Sequence, residues 1–367
     1  MIGSNTTFGV FIVCLQVLLR HKKYIFFTTF FFLFPLYIII NRLFLFLDYI
    51  LFSNFQKKEI KNPILIMGFN RSGTTFFHHL LSKSQQFTTS TTWDFVIPSI
   101  SLKKILWFIR PMLSSLDLDQ LETKDKGHKV GLNDIEEDEM LIFLHKLDSK
   151  WLSNNLIPWM KYDRKFKSFT SELYIDSKKN EKRNINSMRF CKEFWKRQIV
   201  SHNGKQILSK SNPFIFRLKS IMKVFPDAKI IFIVRDPIDT ITSFFSMQER
   251  IKYGNLMTKE ELTLYRIEAY KEIIDWYQET ENAKQFLDKK HFIVLTYDEL
   301  KENLYESVNK SFDFIGQEMN EEFKEILSEK SSIKHIKKHQ NKTIDDFGFT
   351  VKQVKKDFAF VYEEYFS

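Results

Sequence analysis

Hydrophobic positions fall into two regimes along this chain. Up to about residue 52 they come in long runs, Phe8 to Leu19, Tyr24 to Ile40 and Leu43 to Phe52, interrupted by Arg20-His21-Lys22-Lys23 and Asn41-Arg42. Tyr24 to Ile40 with its flanking residues approaches the roughly 20 apolar residues that cross a bilayer. Residues 1–55 therefore read as a membrane anchor, either one span or a helical hairpin or in-plane anchor that also uses the neighbouring apolar pieces. A buried helix of a soluble protein is the plain alternative. No small-x-small site follows the long run and the basic cluster sits in its middle, which argues against a cleavable signal peptide. Basic residues on both sides (Arg20, Lys22 and Lys23 against Arg42, Lys57, Lys58 and Lys61) leave the orientation open.

After the polar linker Gln56 to Asn62 the apolar runs become short, and residues 56–367 read as one globular domain. Ile64 to Met67 is a buried parallel strand, Gly68 to Gly73 a turn, and Thr74 onward a helix whose Phe77, Leu80 and Leu81 face the sheet. Thr88 to Pro98 alternates polar and apolar residues and predicts a second strand ending near Asp94. Residues 99–160 read as helical, with the acidic run Asp134 to Glu139 complementing a helix dipole. Tyr162 to Arg189 is polar and Lys-rich, a solvated loop and helix. Gly204 to Pro213 gives a short strand and a turn with Lys210 at the strand's carboxyl end. Ile230 to Val234 is a fully buried strand followed by Arg235 and a helix from about Pro237. Thr258 to Leu287 is helical, and His291 to Leu300 is a late strand and helix start. The fold class is α/β, a P-loop-type parallel sheet flanked by helices and preceded by an apolar helical membrane segment.

The turn after the first strand carries the chemistry. Glycines at both ends let backbone N–H groups point inward, and Ser72, Thr74 and Thr75 add hydroxyls beside the positive end of a helix dipole, a cradle suited to phosphate. The spacing Gly68-x4-Gly73 is that of a Walker A loop, but Thr74 stands where an ATPase or GTPase carries Lys. The charge then comes from elsewhere, with Arg71 the evident source.

With 367 residues, 44% of them apolar, there is enough for a substantial core. The net charge of +10 suits an anionic ligand or membrane surface, whereas dispersed basic residues give no support to nucleic-acid binding. Only Cys14 and Cys191 are present, so the globular part forms no internal disulfide. His78 and His79 are adjacent on a helix and point about 100° apart, and His335 and His339 lack a third partner, so no metal site is expected.

Two stretches resemble the sulfotransferases that use 3'-phosphoadenosine-5'-phosphosulfate (PAPS). The first is Arg71-Ser72-Gly73-Thr74-Thr75. The second runs from Phe225-Pro226-Asp227-Ala228-Lys229 through Arg235 to Ser243. The resemblance covers roughly residues 60–365 and implies transfer of a sulfuryl group from PAPS to a hydroxyl or amine, without a metal. It implies that Arg71 and Lys210 act on the transferring group, and that Ser72, Gly73, Thr74 and Thr75 hold the 5'-phosphate. Arg235 and Ser243 would then hold the 3'-phosphate, with Tyr297 near the adenine. The general base is Asp94 or His128, Asp94 being favoured because the expected strand tip puts it at the crevice. Carbohydrate, lipid and small-alcohol acceptors all fit. A nucleotide kinase or NTPase, and a membrane-bound nucleotide-binding protein without catalysis, are the competing readings. Asn70-Arg71-Ser72 is a glycosylation sequon inside the phosphate loop, which favours a cytoplasmic catalytic domain over a type II Golgi protein with a lumenal one.

Overall fold

The computed structural model describes residues 6–116, 119–121, 130–166, 169, 172, 174–202, 204–249, 256–332 and 342–366. Strands β1 (Ile64–Gly68), β2 (Phe87–Thr88), β3 (Gln206–Lys210), β4 (Lys229–Val234) and β5 (Phe292–Thr296) form a parallel sheet in the order β2-β3-β1-β4-β5. Every residue of β1 is buried, as a central parallel strand covered on both faces requires. Leu65, Met67, Ile230 and Phe232 point into one core layer, and Ile64, Ile66, Ile231 and Ile233 into the other. That alternation is the period of two of an extended chain. In register, Lys210 lies opposite Ile66 of β1, and Ile233 lies opposite Gly68. The carboxyl ends of β3, β1 and β4 thus come together, and residues far apart in sequence meet there.

The N-terminal runs form two helices built onto this domain. Val10, Cys14, Val17 and Leu18 of α1 (Thr7–Arg20) belong to the same core as Leu65 and Met67. Helix α2 (Tyr24–Leu51) is held along its length. Phe26 meets Trp159 with ring centroids 5.9 Å apart, and Phe30 and Phe34 meet Phe11 at 5.2 and 5.5 Å. The Tyr37 hydroxyl donates to the Val96 carbonyl at 3.0 Å. Near its end Asp48 is fully buried and accepts from Ile100 N, Ser101 N, Ser101 Oγ and Arg197 Nε at 2.9, 2.8, 2.6 and 2.8 Å. Residues 7–51 therefore form a helical pair docked onto the sheet domain. Helix α2 is nevertheless long and apolar enough to cross a membrane, and its outward face is bare, with Ile25 81% and Ile39 65% exposed.

The expected second strand is corrected. Pairing stops at Thr88, and Asp94 lies in the short helix α4 (Thr92–Val96). Thr91 and Asp94 stand at the spacing of a capping box, and the reciprocal bonds of that motif outcompete a strand over these Thr-rich residues.

Asp48→Ala leaves the Arg197 guanidinium buried without its carboxylate, a change that costs about 3–5 kcal/mol. Urea unfolding is expected to show a midpoint lowered accordingly. A change below about 1 kcal/mol, the range of exposed ion pairs, would mean that α2 is not docked through this pair.

Candidate active site

The loop after β1 is fixed by close contacts. A Cβ on Gly68 would lie 2.5 Å from the Ile233 carbonyl oxygen and 2.6 Å from Ser72 Oγ, so the position has no room for a side chain. Ser72 closes the turn: its N–H and Oγ both donate to the Phe69 carbonyl, at 3.1 and 2.6 Å. Its hydroxyl is thus committed to the loop rather than turned toward a ligand. Arg71 and Gly73 flank it with φ of 76° and 94°. For Arg71 this left-handed backbone is a strained choice that the surrounding contacts must hold. Gly73 is pressed against Tyr297, to which a Cβ would come within 2.8 Å. Helix α3 (Thr74–Ser82) starts here with no side-chain cap, so its first N–H groups are open for an anion.

Arg235 follows β4 and spans the loop. Its Nη1 donates to the Arg71 carbonyl at 2.8 Å and its Nη2 to Asp239 at 3.0 Å, while its Nε is buried without an acceptor among the described residues. The guanidinium lies 4.5 Å from the ring centroid of Tyr297, the first residue of the helix after β5. Arg71 Nε donates to Ser243 Oγ at 3.1 Å. Around these groups is a pocket of about 300 Å³ lined by Arg71, Gly73, Thr74, Thr75, Arg235 and Tyr297. Two guanidiniums, an uncapped helix start and an aromatic ring suit a ligand carrying phosphate and a flat base.

Lys210, at the tip of β3, is buried on the other side of Thr75. Its Nζ donates to Thr75 Oγ1 at 3.0 Å and lies 3.7 Å from Glu136 and 4.0 Å from Glu137. Both carboxylates come from the acidic run, which does not do what the sequence suggested. Helix α6 begins only at Glu139 (Glu139–Lys146), so the preceding acids precede the helix and fold back on the strand tip. The Asp138 N–H donates to the Lys210 carbonyl at 2.9 Å, Asn212 N–H donates to Glu137 Oε1 at 2.6 Å, and His79 Nε2 lies 2.9 Å from the Ile135 carbonyl. Burial pushes Glu137 up to about 7 against the pull of Lys210 and the Asn212 N–H. Burial likewise raises Asp138 to about 7, and Glu139 to about 8 against Arg217. The sequence did carry a signal for this: four consecutive acids run without a break into Met140–Leu144, so burying the apolar run draws them in.

Asp94, the expected base, is occupied elsewhere. It accepts from Thr91 N and Oγ1 at 2.8 Å each and pairs with Lys103 Nζ at 2.5 Å. Burial pushes its carboxyl up, but Lys103 and Thr91 outweigh that and hold it below the usual range. It is a cap, not a strand-tip carboxylate. His128 lies outside the described residues, as do His335 and His339. His78 is packed in the core, where burial lowers it to about 3. Among the described residues no group of three or more His, Cys, Asp or Glu side chains is placed to hold a metal.

Residues 63–321 match the model of the sulfotransferase family. The chain belongs to that family. It is 26% identical over 248 residues to the omega-hydroxy-beta-dihydromenaquinone-9 sulfotransferase Stf3 of Mycobacterium tuberculosis, a match covering 65% of this chain and 58% of that protein. It is 22% identical over 148 residues to a 3-beta-hydroxysteroid sulfotransferase of Cavia porcellus, covering 38% of this chain and 52% of the relative. The chain thus spans somewhat over half the length of the curated relatives it matches. Among solved structures, sulfotransferase STF1 of Mycobacterium tuberculosis superposes with a TM-score of 0.66 at 19% identity, covering 88% of this chain and 83% of that one. Sulfotransferase STF9 of Mycobacterium avium gives 0.63 at 14% identity, covering 89% and 82%. At these identities the structural likeness establishes the fold.

The raised carboxyls predict a pH dependence of stability. A carboxyl whose folded pKa exceeds its unfolded one stabilises the fold while protonated, and that contribution is lost as pH rises through the folded value. Between pH 6.5 and 7.5 His78 and His145, which the unfolded chain still partly protonates, and Lys146 and Lys150, which burial lowers to about 8, pull the other way but exchange fewer protons than the three raised carboxyls. The unliganded protein is therefore expected to melt at falling temperature across that window. Glu137→Gln should flatten the slope, by at most about 1.4 kcal/mol per pH unit for one proton. A melting temperature that rises from pH 6.5 to 7.5 would contradict the burial of protonated carboxyls.

Proposed function

We propose that this protein transfers the sulfuryl group of PAPS to a hydroxyl, or an amine, of an apolar acceptor by in-line displacement. The observation that carries the reading is the position of Lys210, whose ammonium sits between Thr75 of the phosphate loop and the buried pair Glu136 and Glu137. A cation there faces both the leaving phosphate and the arriving acceptor. The open amides of α3, with Thr74 and Thr75, take the 5'-phosphate. Arg235 takes the 3'-phosphate, exchanging its half-exposed partner Asp239 for a stronger anion. Tyr297 flanks the adenine, and Ser243 holds Arg71 in place. The acceptor oxygen attacks sulfur, the bond from sulfur to the bridging oxygen of the 5'-phosphate breaks, and the bisphosphate leaves. Arg71 and Lys210 neutralise charge gathering on the transferring group and the bridging oxygen.

The acceptor proton goes to a carboxylate, and Glu137 replaces Asp94 in that role. Its pKa near 7 matches neutral operation, whereas Asp94, held low by Lys103, is a poorer base. A kinase or NTPase is disfavoured by Thr74 at the Walker lysine position and by the family match. That the named relatives act on a menaquinone derivative and a hydroxysteroid supports an apolar alcohol as acceptor.

The same reading puts the protein at a membrane surface. Helix α2 is about 42 Å long at 1.5 Å per residue and is docked at both ends. Crossing a bilayer would drag its docked side into hydrocarbon, so α2 lies in the interface with its bare face toward lipid. The catalytic domain faces the cytoplasm: the Asn70 side chain accepts from Asn212 Nδ2 at 3.0 Å, and a glycan on Asn70 would break that contact inside the phosphate loop.

Labelled PAPS with a panel of primary alcohols and sterols should yield sulfated products. Glu137→Gln should lower turnover by about 10² to 10⁴ while leaving bisphosphate binding intact. Full turnover in Glu137→Gln would return the base to another group, and no product with any alcohol would support the non-catalytic reading. 3'-Phosphoadenosine-5'-phosphate should raise the melting temperature more than ATP does, a preference that Arg235→Ala abolishes. Equal stabilisation by both nucleotides would reject the 3'-phosphate site.

A further inference from the structure

An apolar groove of about 300 Å³, at the lower bound for small-molecule sites, runs between α2 and α6 and is used by nothing described above. Phe30 and Leu33 line one wall, and Phe143, Leu144 and Leu156 the other. Of its two hydroxyls, that of Tyr37 is already engaged at 3.0 Å with both the Val96 carbonyl and His145 Nε2. Apart from Thr29, what remains to contact a ligand is hydrocarbon.

Two features say what occupies it. The first is a helix shared with the segment that carries the reacting groups. The wall formed by α6 begins at Glu139, directly after the Glu136-Glu137 pair beside Lys210, and Leu144 lies about 8 Å along that helix at 1.5 Å per residue. The second is continuity with the bare face of α2, where Leu33 is 59%, Phe32 64% and Leu36 55% exposed. The groove thus shares a helix with the carboxylate segment, and its side opens where lipid would lie. A molecule with a polar hydroxyl head and a hydrocarbon tail satisfies both features.

We propose that this groove holds the hydrocarbon chain of the acceptor, with its hydroxyl at Glu137 and Lys210 and its tail emerging along α2 into the bilayer. The proposal rests on the sulfuryl-transfer reading, and adds that the docked helix α2 is part of the acceptor site rather than an anchor alone. Residues 24–37 then set the acceptor class: chain length is read by α2, and the head group by the strand tips.

Two measurements test it. With a homologous series of straight-chain primary alcohols, kcat/KM should rise about three- to fourfold per added methylene until the groove is filled, and then level off. Leu144→Trp narrows the groove and should collapse the ratio of dodecanol to butanol turnover. Leu33→Trp, on the exposed wall, repeats the test if Leu144→Trp does not fold. The second measurement needs no turnover. The Trp151 ring lies 6.1 Å from Phe143 and the Trp159 ring 5.9 Å from Phe26, so a brominated dodecanol in the groove should quench their fluorescence. A Trp107→Phe background removes the most exposed indole. Quenching without sulfation of any alcohol would sink the transfer reading and leave the groove standing as a hydrocarbon site. A flat chain-length series with no quenching would overturn the groove while leaving transfer intact. A dimer that dodecanol neither dissociates nor quenches would give the groove to a second copy of the chain, and would also overturn the proposal.

Discussion

A buried ammonium must be compensated from every side, and much of this site follows from how Lys210 meets that demand. The residue is 4% exposed, too buried to keep its charge without partners. It finds a hydroxyl on α3 and two carboxylates on the segment leading into α6, and its own carbonyl receives the Asp138 N–H. Three separate pieces of chain are thereby tied to one strand tip. Glu136 and Glu137 are in turn buried beside Lys210, and burial raises Glu137 and the adjacent Asp138 to about 7. On the proposed reading, the base and the cation of the reaction are two consequences of one desolvated cluster.

The nucleotide side follows the same economy of contacts. Parallel pairing places β1 between β3 and β4 and so brings the phosphate loop between Lys210 and Arg235. Gly68 and Gly73 are required where β4 and Tyr297 press on the loop, and Arg235 ties the loop by bonding to the Arg71 carbonyl. Arg235 and Tyr297 stack against each other, so the groups assigned to the 3'-phosphate and the adenine support one another before any ligand arrives.

Much of this was legible in the chain. Short apolar runs bounded by turn residues marked β1 and β4 to within a residue and placed β5 ahead of a helix start, because strands buried on both faces need uninterrupted apolar sequence. The glycine spacing marked the close turn after β1, and strand-end positions placed Lys210 and Arg235 at the carboxyl edge of the sheet. The misreadings share a cause, the dependence of a local pattern on tertiary surroundings. Thr88 to Pro98 looks extended because threonines favour strands, yet Thr91 and Asp94 close a capping box. The acidic run looks like an ordinary helix start, and only the fold puts Glu136 and Glu137 against a lysine some seventy residues later in the sequence. The N-terminal runs stand apart from these: their length and apolarity show a helix long enough to cross a membrane, but not how it docks. Their docking depends on Asp48 finding Arg197, a pairing across 149 residues that periodicity does not reveal.

The central claim is that one cluster of groups at the tips of β1, β3 and β4 binds the nucleotide and handles the acceptor proton. A structure of the protein with 3'-phosphoadenosine-5'-phosphate tests it most directly. The account predicts the 5'-phosphate on the first amides of α3 with Lys210 Nζ about 3 Å from one of its oxygens, the 3'-phosphate on Arg235, and the adenine against Tyr297. A nucleotide bound with Lys210 still directed only at Glu136 and Glu137, or with its 3'-phosphate away from Arg235, would contradict it.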